Sequence, residues 1–316
     1  MLDVRSNTAP KEVFLEMLLA KRISVIKAES IYVEWGYGYG IPGHGEAYVD
    51  CGQTLVRGCL NVDAHDQDLV DGTKAAGKVY VETYRRSCFR GGCPVCYEKW
   101  AGKEAGKIDH RIKAGYGKGW GRPIHLVESP PERDVRVLDY PSLRKRAYEV
   151  AKMSGLKGGC CIFHPYRRKC FVCGAIVKEG YESCFFCGNT AKIWVFSPHF
   201  HMIGYGWIRG TAKGYKTHGW VVKNVGVRKS VSATALYQLS HAGVHQKYRT
   251  ITWFGKLSYN NFKAPPMPKE EHRCPMCEQK LRQLWYFGVR ELPQEVGRYW
   301  LDPEGWRYKP SRFDGG

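Results

Sequence analysis

Four Cys-x2-Cys pairs punctuate the chain: Cys93-x2-Cys96, Cys170-x2-Cys173, Cys184-x2-Cys187 and Cys274-x2-Cys277. A tetrahedral Zn2+ takes soft ligands at about 2.3 Å, and a Cys-x2-Cys turn delivers two thiolates to one ion. Cys170, Cys173, Cys184 and Cys187 form two such turns, each followed by glycine (CFVCG and CFFCG), and read as one closed zinc ribbon. Four protein ligands leave no open position, so this site is structural. Cys93 and Cys96 are a second half-site with Cys88 just upstream; Cys59 is the first choice for its fourth ligand, with Cys51 the alternative and His65 also within reach of the chain. Cys274 and Cys277 lack a neighbouring pair. They could recruit His272, borrow Cys51, or bind nothing, so two zinc ions are expected and a third is open. Cys160 and Cys161 are adjacent in an apolar run and cannot share a strand face, so they read as small packed hydrophobes.

A second kind of chemistry lies in SPHFHMIGYG. Residues two apart on a strand share a face, so His199 and His201 project together while Phe200 turns to the core, making a platform for a divalent metal. The bland alternative is a pair of hydrogen-bonded structural histidines. Pro198 requires the strand bonding to begin after it or a bulge there.

These residues need a scaffold, and the pattern of elements supplies one. IHLVESPP (124–131) reads as a strand ended by prolines, Ser142–Met153 as a helix with serine at a capping position, and KIWVFSPHFHMIGYGW and GWVVKNV as strands. Ser232–His241 reads as a helix and YRTITWFG as a further strand. Earlier, Glu12–Arg22 is a short amphipathic stretch, GYGYGIPGHG resists regular structure, and Trp100, Ala101, Ala105, Ile108 and Ile112 mark a basic helix after the Cys93-x2-Cys96 turn. The expected fold is α+β: a central antiparallel sheet backed by helices, with inserted and flanking zinc-knuckle modules. The expected divisions are an irregular arm (1–50), an N-terminal zinc segment with its basic helix (51–120), a catalytic domain (121–262) carrying the ribbon insertion (167–190), and a C-terminal Cys-x-x-Cys tail (263–316).

Composition narrows the partners. The 316 residues carry 49 Lys and Arg against 30 Asp and Glu, a formal charge of +19 that suits a polyanion, foremost nucleic acid. Basic and aromatic residues interleave in YRRSCFR (84–90), HPYRRK (164–169) and RYWLDPEGWRYKPSRF (298–313), the mixture that grips phosphates and stacks unpaired bases. No apolar run reaches the length of a membrane span and no signal peptide is evident, so a cytoplasmic protein without membrane contact is expected. Thirteen cysteines in a reducing compartment again point to zinc and not to disulfides. No G-x4-G-K-[ST] loop occurs, so the chain encodes no motor.

Taken in order, three segments resemble the HUH endonuclease superfamily, most closely the rolling-circle replication initiators of archaeal plasmids and viruses. IHLVESPP is similar to the first motif of that family, His199-Phe200-His201 to its metal motif, and ALYQLSHAGV to its tyrosine motif; CPVCYEKWA and TITWFGKLSYN also resemble segments of these proteins. The likeness spans about residues 88–262. It implies a nuclease core that nicks and rejoins single-stranded DNA at a replication origin. Tyr237 would be the nucleophile and form a 5'-phosphotyrosyl link, with Mn2+ or Mg2+ at His199 and His201 polarising the phosphate. His164 in IFHP is the candidate third ligand, because its strand precedes the metal strand and would pair with it; Glu128 is the weaker rival. His241, four residues after Tyr237, could orient or protonate an oxygen, or cap the helix. It stands where many relatives have a second tyrosine, which implies a one-tyrosine mechanism unless Tyr248 or Tyr259 substitutes. Host helicase and polymerase would supply unwinding and extension. A transposase of the same superfamily would run the same chemistry, a relaxase fits less well, and a zinc-ribbon DNA-binding protein without catalysis is the alternative of another class.

Overall fold

The computed structural model describes residues 38–177 and 183–310 and the backbone of Val25–Ile26; the amphipathic stretch Glu12–Arg22 and residues 311–313 of the last basic run lie outside them. The chain is a mixed α+β protein with two antiparallel sheets and few helices, divided into two compact units. Met1–Ala47 with Phe89–Pro266 make the first, and Tyr48–Cys88 with Met267–Gly316 the second. Two expected divisions are therefore corrected. The basic helix belongs to the first unit, and the C-terminal tail is instead part of a second folded unit.

In the first unit, β4 (Pro123–Ser129), β5 (Leu156–Cys170), β6 (Lys192–Gly206), β7 (Val221–Val227) and β8 (Ile251–Gly255) form an antiparallel sheet in the order β7-β4-β6-β5-β8, with β1 (Val25–Ile26) added to β6 at Val195 and Trp194. The fifteen-residue strands β5 and β6 are one long hairpin whose tip is the Cys170–Cys187 ribbon. Both faces of this hairpin are covered, so its centre reads as a nearly continuous buried run and not as an alternation. On one face α1 (Tyr97–Lys113) and α5 (Val231–Leu239) share an apolar cluster with Cys160, Ile162 and Ile203. On the other, α3 (Tyr140–Met153) packs Leu143, Ala147 and Val150 against Cys161, Phe163, Phe200 and Met202. Each fully buried large side chain in these layers contributes about 1.5–3 kcal/mol. Cys160 and Cys161 thus enter opposite cores.

Short helices α2 (Glu132–Val137) and α4 (Ala212–His218) complete the unit. Arg111 of the basic helix faces inward, donating to the carbonyls of Leu257, Ser258 and Phe262.

Pro198 does not end its strand. His164 pairs with His199 and Tyr166 with Phe196, so Ser197 and Pro198 together oppose the single Pro165. A bulge absorbs both prolines where no ladder N–H is required.

In the second unit, β2 (Thr54–Cys59), β3 (Val79–Arg85), β9 (Arg282–Tyr286), β10 (Gly297–Leu301) and β11 (Trp306–Tyr308) form a five-stranded antiparallel sheet in the order β10-β3-β2-β9-β11. Two of the basic-aromatic runs are spent on this unit's own architecture. Arg57 lies over Tyr84, Arg86 pairs with Asp50, Trp300 packs on His65 and Tyr80, Trp306 is buried and the Tyr308 hydroxyl accepts from the Leu60 amide. The segments of this unit carry fourteen Lys and Arg and fourteen Asp and Glu, so the entire surplus of +19 belongs to the first unit. Among the described residues no helix is long and apolar enough to cross a membrane.

The expected cap of α3 is corrected. The helix begins at Tyr140, Asp139 is its N-cap, and the Asp139 carboxylate accepts from the Ser142 amide at 2.9 Å; proline at the second helical position needs no donor. Asp139→Ala should therefore destabilise the protein by about 0.5–2 kcal/mol in urea unfolding, while Ser142→Ala should be close to neutral. Equal effects from the two changes would show that the side-chain cap is not what anchors this helix.

Candidate active site and metal centres

Antiparallel register places His164 directly opposite His199, and Ile162 opposite His201. Side chains at paired positions share a face, so the three imidazoles converge, with ligand nitrogens all within 4.8 Å of one another. The ring of His164 lies 4.3 Å from that of His201 and 5.1 Å from that of His199. All three are buried, and neither nitrogen of His164 has a hydrogen-bond partner. Burial holds the His164 and His201 pKa values well below the ordinary range and His199 at about 3, so at neutral pH each is an uncharged ring with a lone pair to give.

Outer contacts fix which nitrogen carries that lone pair. His199 Nδ1 donates to the Ser197 carbonyl at 2.9 Å, an acceptor exposed by the bulge, which leaves Nε2 as the ligand atom. His201 Nδ1 lies 2.8 Å from His125 Nε2. Burial, then the nearby Arg228, depress His125 to about 4, so it is neutral and can accept this proton. Orphaned buried nitrogens facing one another fit a metal ion and fit little else, since an unpartnered buried polar group costs about 1–3 kcal/mol.

Glu128, the rival third ligand, is excluded. It pairs with Phe200 and so points to the opposite face, fully buried with neither carboxylate oxygen partnered and its pKa raised by desolvation. Nothing in its strand pattern marked His125 as the better residue except its parity: 125 and 129 share a face, and 128 does not.

The helix bearing Tyr237 is shorter than expected. α5 starts at Val231, with Ser230 as cap, and ends at Leu239, so His241 lies just beyond it. The rings still meet: Tyr237 to His241 is 5.1 Å, and His241 to His164 is 4.4 Å. Ser240 donates its hydroxyl proton to the Tyr237 carbonyl at 2.8 Å, so His241 Nδ1, at 3.1 Å, donates to Ser240 and its Nε2 holds the lone pair. Tyr237 is half exposed. Tyr248 is no substitute for it, since it packs beside Tyr39, Tyr140 and His245 against the core on the other face.

His199, His201, His241 and Tyr237 line one groove of about 810 Å³ together with His125, Ser129, Arg167, Arg168, Lys223, Arg228 and Gln238. Among the described residues four cations and no carboxylate line it, in keeping with a sequence that has no Asp or Glu between Glu182 and Glu270. Of the three basic-aromatic runs, HPYRRK alone supplies residues here: Arg167, and Arg168 stacked over Trp194 at 4.7 Å.

The cysteines sort into groups able to hold zinc. Cys170, Cys173, Cys184 and Cys187 assemble, with sulfur separations of 3.4 Å (Cys170–Cys187) and 3.5 Å (Cys173–Cys184). Gly174 and Gly188 adopt φ of +70° and +66°, donating back to Cys170 and Cys184. Cys59 is corrected. It joins Cys274, Cys277 and His65, inside the second unit, and not Cys93 and Cys96. His65 replaces His272 as the nitrogen donor. Its Nδ1 donates to the Lys78 carbonyl at 2.6 Å and its Nε2 lies 3.2 Å from the Cys274 sulfur. The turn after Cys277 has the same geometry as the ribbon turns but places Glu278 at φ +57° where the others use glycine, which is why its signal in the sequence was weaker.

No protein-family model matches the chain, and no curated protein or solved structure does either.

His65→Ala should lower the zinc content by one equivalent, read by elemental analysis, and lower the melting temperature. Cys173→Ser should remove a different equivalent, and the two losses should add. Unchanged zinc in His65→Ala would remove this centre.

Proposed function

We propose that the chain is a metal-dependent nicking and joining enzyme for single-stranded DNA, of the HUH type, that starts rolling-circle replication. One observation carries the reading: a half-exposed phenol, a histidine base and two of three clustered, metal-competent imidazoles open onto one cationic groove that no carboxylate lines among the described residues, with the third imidazole, His164, fully buried beside them.

In this reading His241 Nε2 takes the Tyr237 proton as the phenolic oxygen attacks the scissile phosphorus. The new P–O bond forms as the bond to the 3'-oxygen breaks, that oxygen gains a proton, and the 5'-phosphate remains on Tyr237. Attack by a 3'-hydroxyl reverses these changes and seals the strand. His164, His199 and His201 would hold the divalent ion, which when bound supplies charge to the phosphate oxygens. Three neutral imidazoles without a carboxylate favour Mn2+ over Mg2+. Zinc in the ribbon and in the Cys59 group would be structural.

The decisive measurement is a covalent protein–DNA adduct. With a randomised single-stranded oligonucleotide, adduct should form faster with Mn2+ than with Mg2+, vanish in Tyr237→Phe, and require at least about tenfold more Mn2+ in His164→Ala. An adduct that survives Tyr237→Phe reassigns the nucleophile, and no adduct at all favours a zinc-ribbon DNA-binding protein.

A further inference from the structure

Arg167 has no use in the scheme so far, yet its placement is unusual. It sits on β5 three residues past His164 and is half-buried beside the histidine group: Nη2 donates to Ser129 Oγ at 2.8 Å and Nε approaches His199 Nδ1 at 3.3 Å. Since His199 Nδ1 spends its proton on Ser197, it is a poor acceptor for Nε, and among the described residues no hydrogen bond engages Nη1. Among the described residues no carboxylate pairs with this guanidinium, and its groove neighbours Arg168, Lys223 and Arg228 are also cations. A cation drawn from water without a counter-ion costs several kcal/mol, so a fold that holds one beside a groove needs an anion to arrive there. Ser129 fixes the fork from β4, which lies across β6 in the sheet, and this removes rotamer freedom in advance.

We propose that Arg167, held by Ser129, is a phosphate subsite that grips a non-bridging oxygen of the scissile phosphodiester alongside the histidine centre. The proposal rests on the nicking reading for its substrate, but not for the anion itself. A planar fork suits two oxygens of one phosphate, and its charge is worth most in the transition state, when negative charge on those oxygens grows. Lysine would keep the charge and lose the fork.

Two arms separate the subsite from the reaction. Sequencing the adducted strands of the wild type locates the nicked phosphate, and the same strand is then made with a neutral methylphosphonate at that position. Arg167→Gln should slow adduct formation about 10²–10³-fold on the phosphodiester but less than about tenfold on the methylphosphonate, whose lost oxygen Arg167 no longer serves. Arg167→Lys should fall between, and Mn2+ affinity should match the wild type in both. Equal slowing on the two strands, or a parallel loss of Mn2+ binding, would show that Arg167 merely supports His199 and would overturn the subsite. In the second arm, Mn2+-free, zinc-loaded protein is titrated calorimetrically with inorganic phosphate. Binding weakened about tenfold or more by Arg167→Gln supports the subsite even if the wild type never forms an adduct, in which case only the nicking reading falls. Absence of phosphate binding, or binding indifferent to this change, sinks the subsite.

Discussion

Everything at the candidate site follows from how β5 and β6 are paired. Because His164 faces His199 across an antiparallel ladder, one register sets all three imidazoles on a single face, and a slip by one residue would send His199 and His201 into the core of α3. That register is defended from both sides. Phe163 and Phe200 are fully buried in the apolar cluster on the other face, where a displaced imidazole would lose its hydration. The bulge at Pro165 adds local constraint, and the carbonyl of Ser197 that it releases fixes the tautomer of His199. Packing, register and ligand chemistry are thus one constraint seen at three scales.

Much of this arrangement was legible in the sequence, for reasons that can be named. Two-residue periodicity put His199 and His201 together, and the order of apolar runs around the Cys-x2-Cys ribbon made β5 the partner of β6, from which His164 follows. Tyr237 was picked out by the resemblance of ALYQLSHAGV to a tyrosine motif and His241 by its spacing from Tyr237, although the helix that was to carry both ends before the second. Glycine after Cys173 and Cys187 announced two left-handed turns.

Long-range pairing was the part that the sequence hid. Residues 54–85 and 282–308 build a single sheet although some two hundred residues separate them, and local periodicity holds no record of which strand finds which. Cys59 was assigned by proximity along the chain to Cys88, when its partners are His65, Cys274 and Cys277. The basic-aromatic runs carry a related ambiguity: composition does not reveal whether an arginine faces solvent or, like Arg57 over Tyr84, its own sheet. Glu128 was a plausible ligand by residue type and was excluded by strand parity alone.

The two units differ sharply in charge. A balanced second unit cannot draw a polyanion by bulk electrostatics, whereas the first carries the whole excess, and its groove lacks any carboxylate to offset it. Such a groove works against its own stability, because like charges repel and buried cations lose their hydration. The usual remedy, an acidic residue beside each cation, is missing from the entire stretch between Glu182 and Glu270. A neighbouring carboxylate would neutralise Arg167 and compete with an incoming phosphate, so omitting it keeps the guanidinium available. The same logic explains the metal donors: three neutral imidazoles leave the full positive charge of a bound ion facing the groove, where carboxylate ligands would have cancelled part of it. Both choices sacrifice intrinsic stability to the same end, a site whose positive charge is left for a ligand to complete.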